Sequence, residues 1–355
     1  MRSAPNAHPL VTTIIPTYRR PGLLRRAIES ALAQEGTSSQ ICVYDNDSGD
    51  ATGEIVQAIA RNNPRVKYFC HPKNLGGLAN FQYALERVDT PFFSLLSDDD
   101  ILLPGFYAKA ISDLRHNPSA RLWAGVTVRM TDAGQVYDAH VEQWPREGLY
   151  SGMEGLTHMA SGHAPVWTGV LVNSDVLSTV GPLDGAAGSA SDLNWLLRIA
   201  ARHPFIVSTQ PVAILTLHPN SFSDNAPFSS IWPGWLRMVE NIATIDTLTS
   251  DERETLTAML LATGKRVTFR HAAYALTKGD HAYARAAAQI QLDFFKDRRS
   301  SLALRAMSQL CARSSTLQTA YTRLYKLALT LTLARRRDLQ KRHGHLARYL
   351  ATDSE

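Results

Sequence analysis

Four short apolar runs, the first three each followed by a stretch of helical periodicity, fill the first 120 residues, and this alternation constrains the fold more than any other feature. "LVTTIIPTY" is rich in β-branched residues and stops at Pro16; "PGLLRRAIESALAQEG" then sets Leu24, Ile28, Ala31 and Leu32 on one helical face, with Gly36 as a stop. "QICVYD" and "SGDATGEIVQAIARN" form the second pair, in which Ser48 or Asp50 caps the helix and Ile55, Val56, Ile59 and Ala60 face the sheet. "VKYFC" with "GGLANFQYALERV" is the third, and "PFFSLLS" is a fourth, buried strand. Strands alternating with helices predict an α/β fold with a parallel sheet. The polar clusters "PTYRR", "DNDSGD", "HPKNLGG" and "SDDD" each follow the carboxyl end of a strand, the rim at which open α/β sheets bind ligands.

Between about residues 120 and 225 the pattern changes to hairpin-like strands, "RLWAGVTVRM" and "QVYDAHVEQW", with one clear helix, "SDLNWLLRIAAR". Beyond that the chain turns helical and basic, which predicts two domains, 1–225 and 226–355, divided near "DNAPFSSIWPGW". A hydrophobic share of 45% and a charged share of 19% are those of a soluble globular protein and exclude a disordered one. Cys42, Cys70 and Cys311 are far apart and odd in number, so neither a disulfide framework nor a zinc site is expected; Cys42 and Cys70 read as small core residues. "MRSAPNAHPL" lacks the apolar region of a signal peptide and no apolar run is long enough to span a bilayer, so a reducing cytoplasm is the expected location.

The net charge of +5 is concentrated: from Tyr321 to Glu355 eight cationic side chains face three acidic ones, leaving the rest near neutral. A chain-wide nucleic-acid footprint is thereby excluded. "RLYKLALTLTLARRR" joins a leucine face to cationic residues, which suits a helix lying on anionic lipid at the inner face of the cytoplasmic membrane; an ordinary helical domain or an oligomer contact fits as well.

In "FFSLLSDDDILLPGF" an apolar strand runs straight into Asp98, Asp99 and Asp100. Adjacent carboxylates repel most where burial has stripped water away, so this arrangement calls for a compensating cation. Hard oxygen ligands suit Mg²⁺ or Mn²⁺ with open positions for substrate phosphates. A helix-capping turn is the plainer reading, although one aspartate would suffice for it.

The ordered set "IIPTYRRP", "VYDNDSGD", "NLGGLANFQYAL", "SDDDILLP", "SDLNWLLR" and "LHPNSFS", from about Val11 to Ser223, resembles the inverting glycosyltransferases of family 2. The resemblance implies the GT-A nucleotide-diphospho-sugar transferase fold, a Rossmann-like mixed sheet, followed here by a helical C-terminal region. It places the donor nucleotide on Pro16, Thr17, Tyr18, Arg20, Asp45, Asn46, Asn74, Gly76, Asn80, Ser97, Asp98 and Asp99, with Asp98 toward the ribose and Asp99 or Asp100 on a divalent metal (Mn²⁺ or Mg²⁺). Where the family often has two aspartates this chain has Asp45-Asn46, and an amide that both donates and accepts leaves UDP-, dTDP- and CDP-linked donors open.

His218 is implied as a further metal ligand or phosphate contact, with Ser221 and Ser223 in the same motif; His163, Trp167 and Thr168 line the acceptor side, where core packing of Trp167 is an equal reading. Asp192, with Arg198 on the same helix, is implied as the general base that deprotonates the acceptor; a helix cap, for which Ser191 competes, is the alternative. The implied activity is transfer of a sugar to a hydroxyl of a glycan or lipid-linked glycan, as in O-antigen and other cell-envelope polysaccharide synthesis. A polyprenyl-phosphate sugar transferase and a catalytically inactive glycan-binding protein are the rivals. A nucleotidyltransferase falls behind them, because no glycine-rich, basic triphosphate loop follows the first strand.

Overall fold

A computed structural model describes residues 8–218, 228–330 and 333–350. Ser221, Ser223 and the expected domain boundary at 225 lie outside the described residues. Among the described residues the amino-terminal half is built on one ten-stranded sheet, ordered β3-β2-β1-β4-β9-β6-β10-β5, with β7 added on β6 and β8 on β10. The strands are β1 (Val11–Thr17), β2 (Ser39–Asp45), β3 (Val66–Cys70), β4 (Phe92–Leu95), β5 (Ile101–Leu102), β6 (Leu122–Thr131), β7 (Val136–His140), β8 (Gly148–Tyr150), β9 (Val170–Asn173) and β10 (Phe205–Leu217). The first four pair in parallel, with Thr17 opposite Asp45 and Asp45 opposite Cys70, so their carboxyl ends share one rim. β9 is antiparallel to β4 and β6, β6 and β7 form the expected hairpin, and β10 runs parallel to β6.

The period-2 alternation of β2 shows how the sheet is covered on both faces. Ile41 and Val43 point to one side, where α1 (Pro21–Leu32), α2 (Thr52–Asn62) and α4 (Phe106–His116) supply Leu24, Ile28, Val56 and Phe106. Cys42 and Tyr44 point to the other, against α3 (Gly77–Leu85), α5 (Gly152–His158) and the amphipathic α7 (Ser191–Arg202); the single turn α6 (Val176–Thr179) leads into that layer. Cys42 is a core residue as expected. Cys70 is exposed, a correction that follows from its place as the last residue of β3, the edge strand of the sheet.

Beyond the sheet the chain is helical: α8 (Phe228–Ala243), α9 (Ser250–Thr277), α10 (His281–Asp293), α11 (Arg298–Arg313), α12 (Ser315–Thr330) and α13 (Leu333–His343). α9 starts at a capping box, in which Thr249 Oγ1 accepts from the Glu252 N–H and the Glu252 carboxylate accepts from the Thr249 N–H. "WPG", a breaker in the sequence, lies inside α8; a Cβ on Gly234 would clash with the Ala187 carbonyl oxygen, so the glycine permits the helix to cross the turn before α7. No helix of the described residues is long and apolar enough to cross a membrane.

Candidate active site

The loops that leave β1, β2, β3 and β4 meet at the common rim, and hydrogen bonds join each to the next. The Asn46 N–H donates to the Thr17 carbonyl (3.0 Å) and the Arg19 N–H to Ser48 Oγ (2.9 Å), tying the β1 and β2 loops. Asn46 Nδ2 donates to Asn74 Oδ1 (3.0 Å) while Asn46 Oδ1 accepts from the Leu75 N–H (2.8 Å), tying the β2 and β3 loops. Thr17 Oγ1 donates to Asp98 Oδ2 (2.8 Å), which brings in the β4 loop. Arg19 and Asp47, neither of them glycine, have positive φ, and such strained backbone is concentrated where loops are over-determined by their neighbours.

For two of the three aspartates a compensating cation is supplied within the protein by Arg20. Its Nη1 donates to Asp98 Oδ1 (3.1 Å) and Asp99 Oδ2 (2.8 Å), and the side chain of Arg20 keeps 26% of its surface accessible while both carboxylates are largely covered. Burial pushes the Asp98 carboxyl up to about 6, the Arg20 charge opposing and the neighbouring Asp99 adding to the rise. His218, at the end of β10, sets Nε2 2.7 Å from the same Asp99 Oδ2. Asp98, Asp99, Arg20 and His218 are thus brought together.

Asp100 turns the other way. Its Oδ2 accepts from Thr168 Oγ1 (2.6 Å) and its Oδ1 from the Thr216 N–H (3.0 Å), beneath the rim. Burial, with Asp99 adding, pushes this carboxyl up to about 8 against those two hydrogen bonds. Thr168 is fully buried under Asp100, and Trp167 beside it is half-buried against Phe81 at 4.9 Å between ring centroids. His163 is exposed, and its carbonyl accepts from Trp144 Nε1.

Other expected donor residues are already engaged. Asp45 accepts from the Ser48 N–H and hydroxyl through Oδ1 and from Tyr68 Oη (2.6 Å) through Oδ2. Asn80 is buried, donating to the Tyr44 carbonyl and meeting His71 Nε2 at 2.9 Å, so it points into the sheet layer rather than the cleft. Tyr18 is exposed at the rim with the Arg19 guanidinium 5.0 Å from its ring centre, the Ser97 carbonyl accepts from the Asp100 N–H, and Pro16 lies within β1, which runs on to Thr17. Asp192 opens α7, where Ala190 takes the cap position; its Oδ1 accepts from the Leu193 N–H (2.7 Å) and burial raises its pKa. Ser191 donates to the Asp184 and Gly188 carbonyls, and Arg198 donates to the Val180 and Pro182 carbonyls, anchoring the segment before α7.

Three residues that sequence reasoning passed over complete the site. Tyr68 holds Asp45, Thr216 holds Asp100, and Arg26 reaches from α1 to donate to the Asp99 carbonyl (3.0 Å) and Thr216 Oγ1 (3.2 Å). Arg26 lies between Leu24 and Ile28 in sequence, and only the burial of that turn distinguishes it from its solvated neighbour Arg25. Among the described residues no three His, Cys, Asp or Glu converge as a ligand set. Asp99 and His218 are the two donors that meet at one point, and two protein ligands completed by substrate phosphates suit Mg²⁺ or Mn²⁺.

Comparison with known proteins gives the same region a family. Residues 12–166 match the model of Glycosyl transferase family 2. A GalNAc(5)-diNAcBac-PP-undecaprenol beta-1,3-glucosyltransferase of Campylobacter jejuni is 35% identical over 98 residues, 27% of this chain and 32% of that protein. The succinoglycan biosynthesis protein ExoO of Rhizobium meliloti is 34% identical over 96 residues, 27% of each chain. The chain therefore spans less than a third of the length of these curated relatives. S. aureus TarS 1-349 in complex with UDP-GlcNAc superposes with a TM-score of 0.63 at 12% identity, covering 84% of this chain and 91% of that fragment. The mannosyltransferase PcManGT of Pyrobaculum calidifontis, in complex with GDP-Man and Mn²⁺, gives 0.53 at 15% identity over 92% of this chain and 88% of its own. The rim of strand-end loops thus lies within the stretch, residues 12–166, that is similar to Glycosyl transferase family 2, on a GT-A fold followed by a helical region.

Proposed function

We propose that the protein transfers a sugar from a nucleotide-diphosphate donor to a hydroxyl of a glycan or lipid-linked glycan with inversion at the anomeric carbon. The observation that carries this reading is the knot of Arg20, Asp98, Asp99 and His218 where the four loops meet. The same rim presents the exposed Tyr18 to the nucleoside, and Asn46 fixes the turn that carries Asn74 and Gly76 beside it. That a similar Campylobacter protein is a glucosyltransferase for an undecaprenol-linked glycan supports a lipid-linked acceptor.

In the proposed reaction the Asp192 carboxylate takes the proton from the acceptor hydroxyl as the acceptor oxygen bonds to the anomeric carbon. The bond from that carbon to the diphosphate oxygen breaks on the opposite face, and the nucleoside diphosphate leaves with the electron pair. Burial raises the Asp192 pKa, which strengthens it as a base at neutral pH. Arg20 presents a cation to the departing diphosphate from the rim. A divalent cation on Asp99 and His218 would neutralise the same group as a Lewis acid.

The test is thermal stabilisation by UDP, dTDP, CDP and GDP with and without Mn²⁺, followed by turnover with the sugar nucleotide of the base that binds. One pyrimidine diphosphate is expected to stabilise only with metal, and Asp192→Asn is expected to keep that shift while losing transfer by about 10²-fold or more. No shift with any nucleotide would remove the foundation of the reading, and full activity of Asp192→Asn would remove the base.

A further inference from the structure

Helix α12 buries a face that is not its leucine face. Gln318, Tyr321, Thr322 and Tyr325 point inward onto α9: Tyr321 Oη donates to the Ala273 carbonyl (2.9 Å), Gln318 to that of Leu276 and Thr322 to that of Thr277, and the Tyr325 ring meets Tyr274. Leu317, Ala320, Leu324 and Leu327 recur at i, i+3, i+7 and i+10 on the outer side, and the three leucines are 43%, 64% and 60% exposed. Leu302 and Leu310 of the preceding α11 are exposed at 69% and 49%. Apolar side chains in this register and at this exposure form a patch that a monomer rarely leaves open to water.

The charge around the patch selects what covers it. Across α11 and α12 the sequence holds six Arg and Lys and no Asp or Glu, and Arg323 and Lys326 flank the leucine stripe and are exposed. A second copy would bring the same cations against themselves with no acid in the segment to pair them. An anionic lipid surface satisfies both features, since it takes leucines into the acyl boundary and attracts each cation. We infer that the outer face of α12 is a docking surface for an anionic membrane. This deepens the transferase reading, on which it rests for the consequence that the active rim works beside lipid-borne acceptors, while the docking itself is read without catalysis.

The full chain is mixed with phosphatidylcholine vesicles with or without phosphatidylglycerol and sedimented. It is expected to bind only the anionic vesicles and to be released as salt rises. Leu317→Ser/Leu324→Ser and, separately, Arg323→Glu/Lys326→Glu are each expected to weaken that binding at least about tenfold, while the nucleotide-induced thermal shift persists as proof of fold. No binding to anionic vesicles, binding unchanged in both variants, or a leucine-dependent dimer in light scattering that ignores vesicles would overturn the inference, the last assigning the face to a second copy. Vesicle binding with no nucleotide shift would sink the transferase reading and leave this one standing.

Discussion

Asp100 shows at the scale of a residue how one carboxylate of a triplet can serve the fold rather than the ligand. Its pKa is raised to about 8 by burial and by Asp99, so the folded state prefers it protonated. A group with a folded pKa above its unfolded value stabilises fully below the unfolded value, and that contribution is lost as pH rises through the folded one. Asp98, raised to about 6, acts in the same direction over a lower range. Denaturant unfolding is therefore expected to show stability falling between about pH 4 and pH 8. Asp100→Asn keeps an acceptor for the Thr216 N–H and offers an amide to Thr168, so it is expected to flatten the upper part of that fall; an unchanged profile would place the titration elsewhere. Arg20→Met leaves Asp98 and Asp99 without their guanidinium and is expected to cost about 1–3 kcal/mol near pH 8 and less at pH 5, where Asp98 is protonated. Equal losses at both pH values would show that packing, not charge, is what Arg20 contributes.

The strand-end loops carry the same logic at the scale of elements. Their place was legible in the sequence, because polar clusters after β1 to β4 can only lie on one rim once the strands pair in parallel. Their internal wiring was not. Asn46 reads as an amide presented to a base, yet both ends of it are used to hold the Asn74-Leu75-Gly76 turn. Asn80 reads as facing the cleft from a glycine-led helix, yet it is buried against Tyr44 and His71, partners that only the pairing of β2 and β3 brings near. The wiring makes a prediction opposite to that of motif matching. Asn46→Asp would make the pair of aspartates frequent in the family, but it removes the donor to Asn74 Oδ1 and sets a carboxylate against an oxygen that also accepts from Gly76. It is expected to destabilise the chain by about 1–3 kcal/mol and to weaken nucleotide binding, measured by urea unfolding and thermal shift. A neutral or stabilising effect would mean that Asn74 reorients freely and that the loop network does not set the rim.

At the scale of the whole molecule, the carboxyl end returns to the sheet. Leu339, Leu346 and Leu350 pack with Ile101, Val128, Met130, Val136 and Ile214 on β5, β6, β7 and β10. Gln340 closes the β6–β7 hairpin by donating to the Gly134 carbonyl and accepting from the Val136 N–H, and His343 and Arg342 meet Glu142. The composition of this tail, cationic with scattered leucines, gave no register for such docking, since its partners lie some two hundred residues earlier in the chain. The return reaches the site through Arg26, whose Nη1 donates to the Leu350 carbonyl (3.3 Å) while Nη2 donates to the carbonyl of Asp99. One guanidinium thus joins the end of the chain to the backbone of the residue proposed to meet metal and diphosphate. Leu339→Ala, outside the proposed nucleotide site, is expected to cost about 2–4 kcal/mol by leaving a cavity between tail and sheet. If the tail also positions the acidic loop, the variant loses part of its nucleotide-induced thermal shift, and Arg26→Met loses the same part. A Leu339→Ala protein that is less stable but binds nucleotide with unchanged affinity would confine the tail to holding the sheet together.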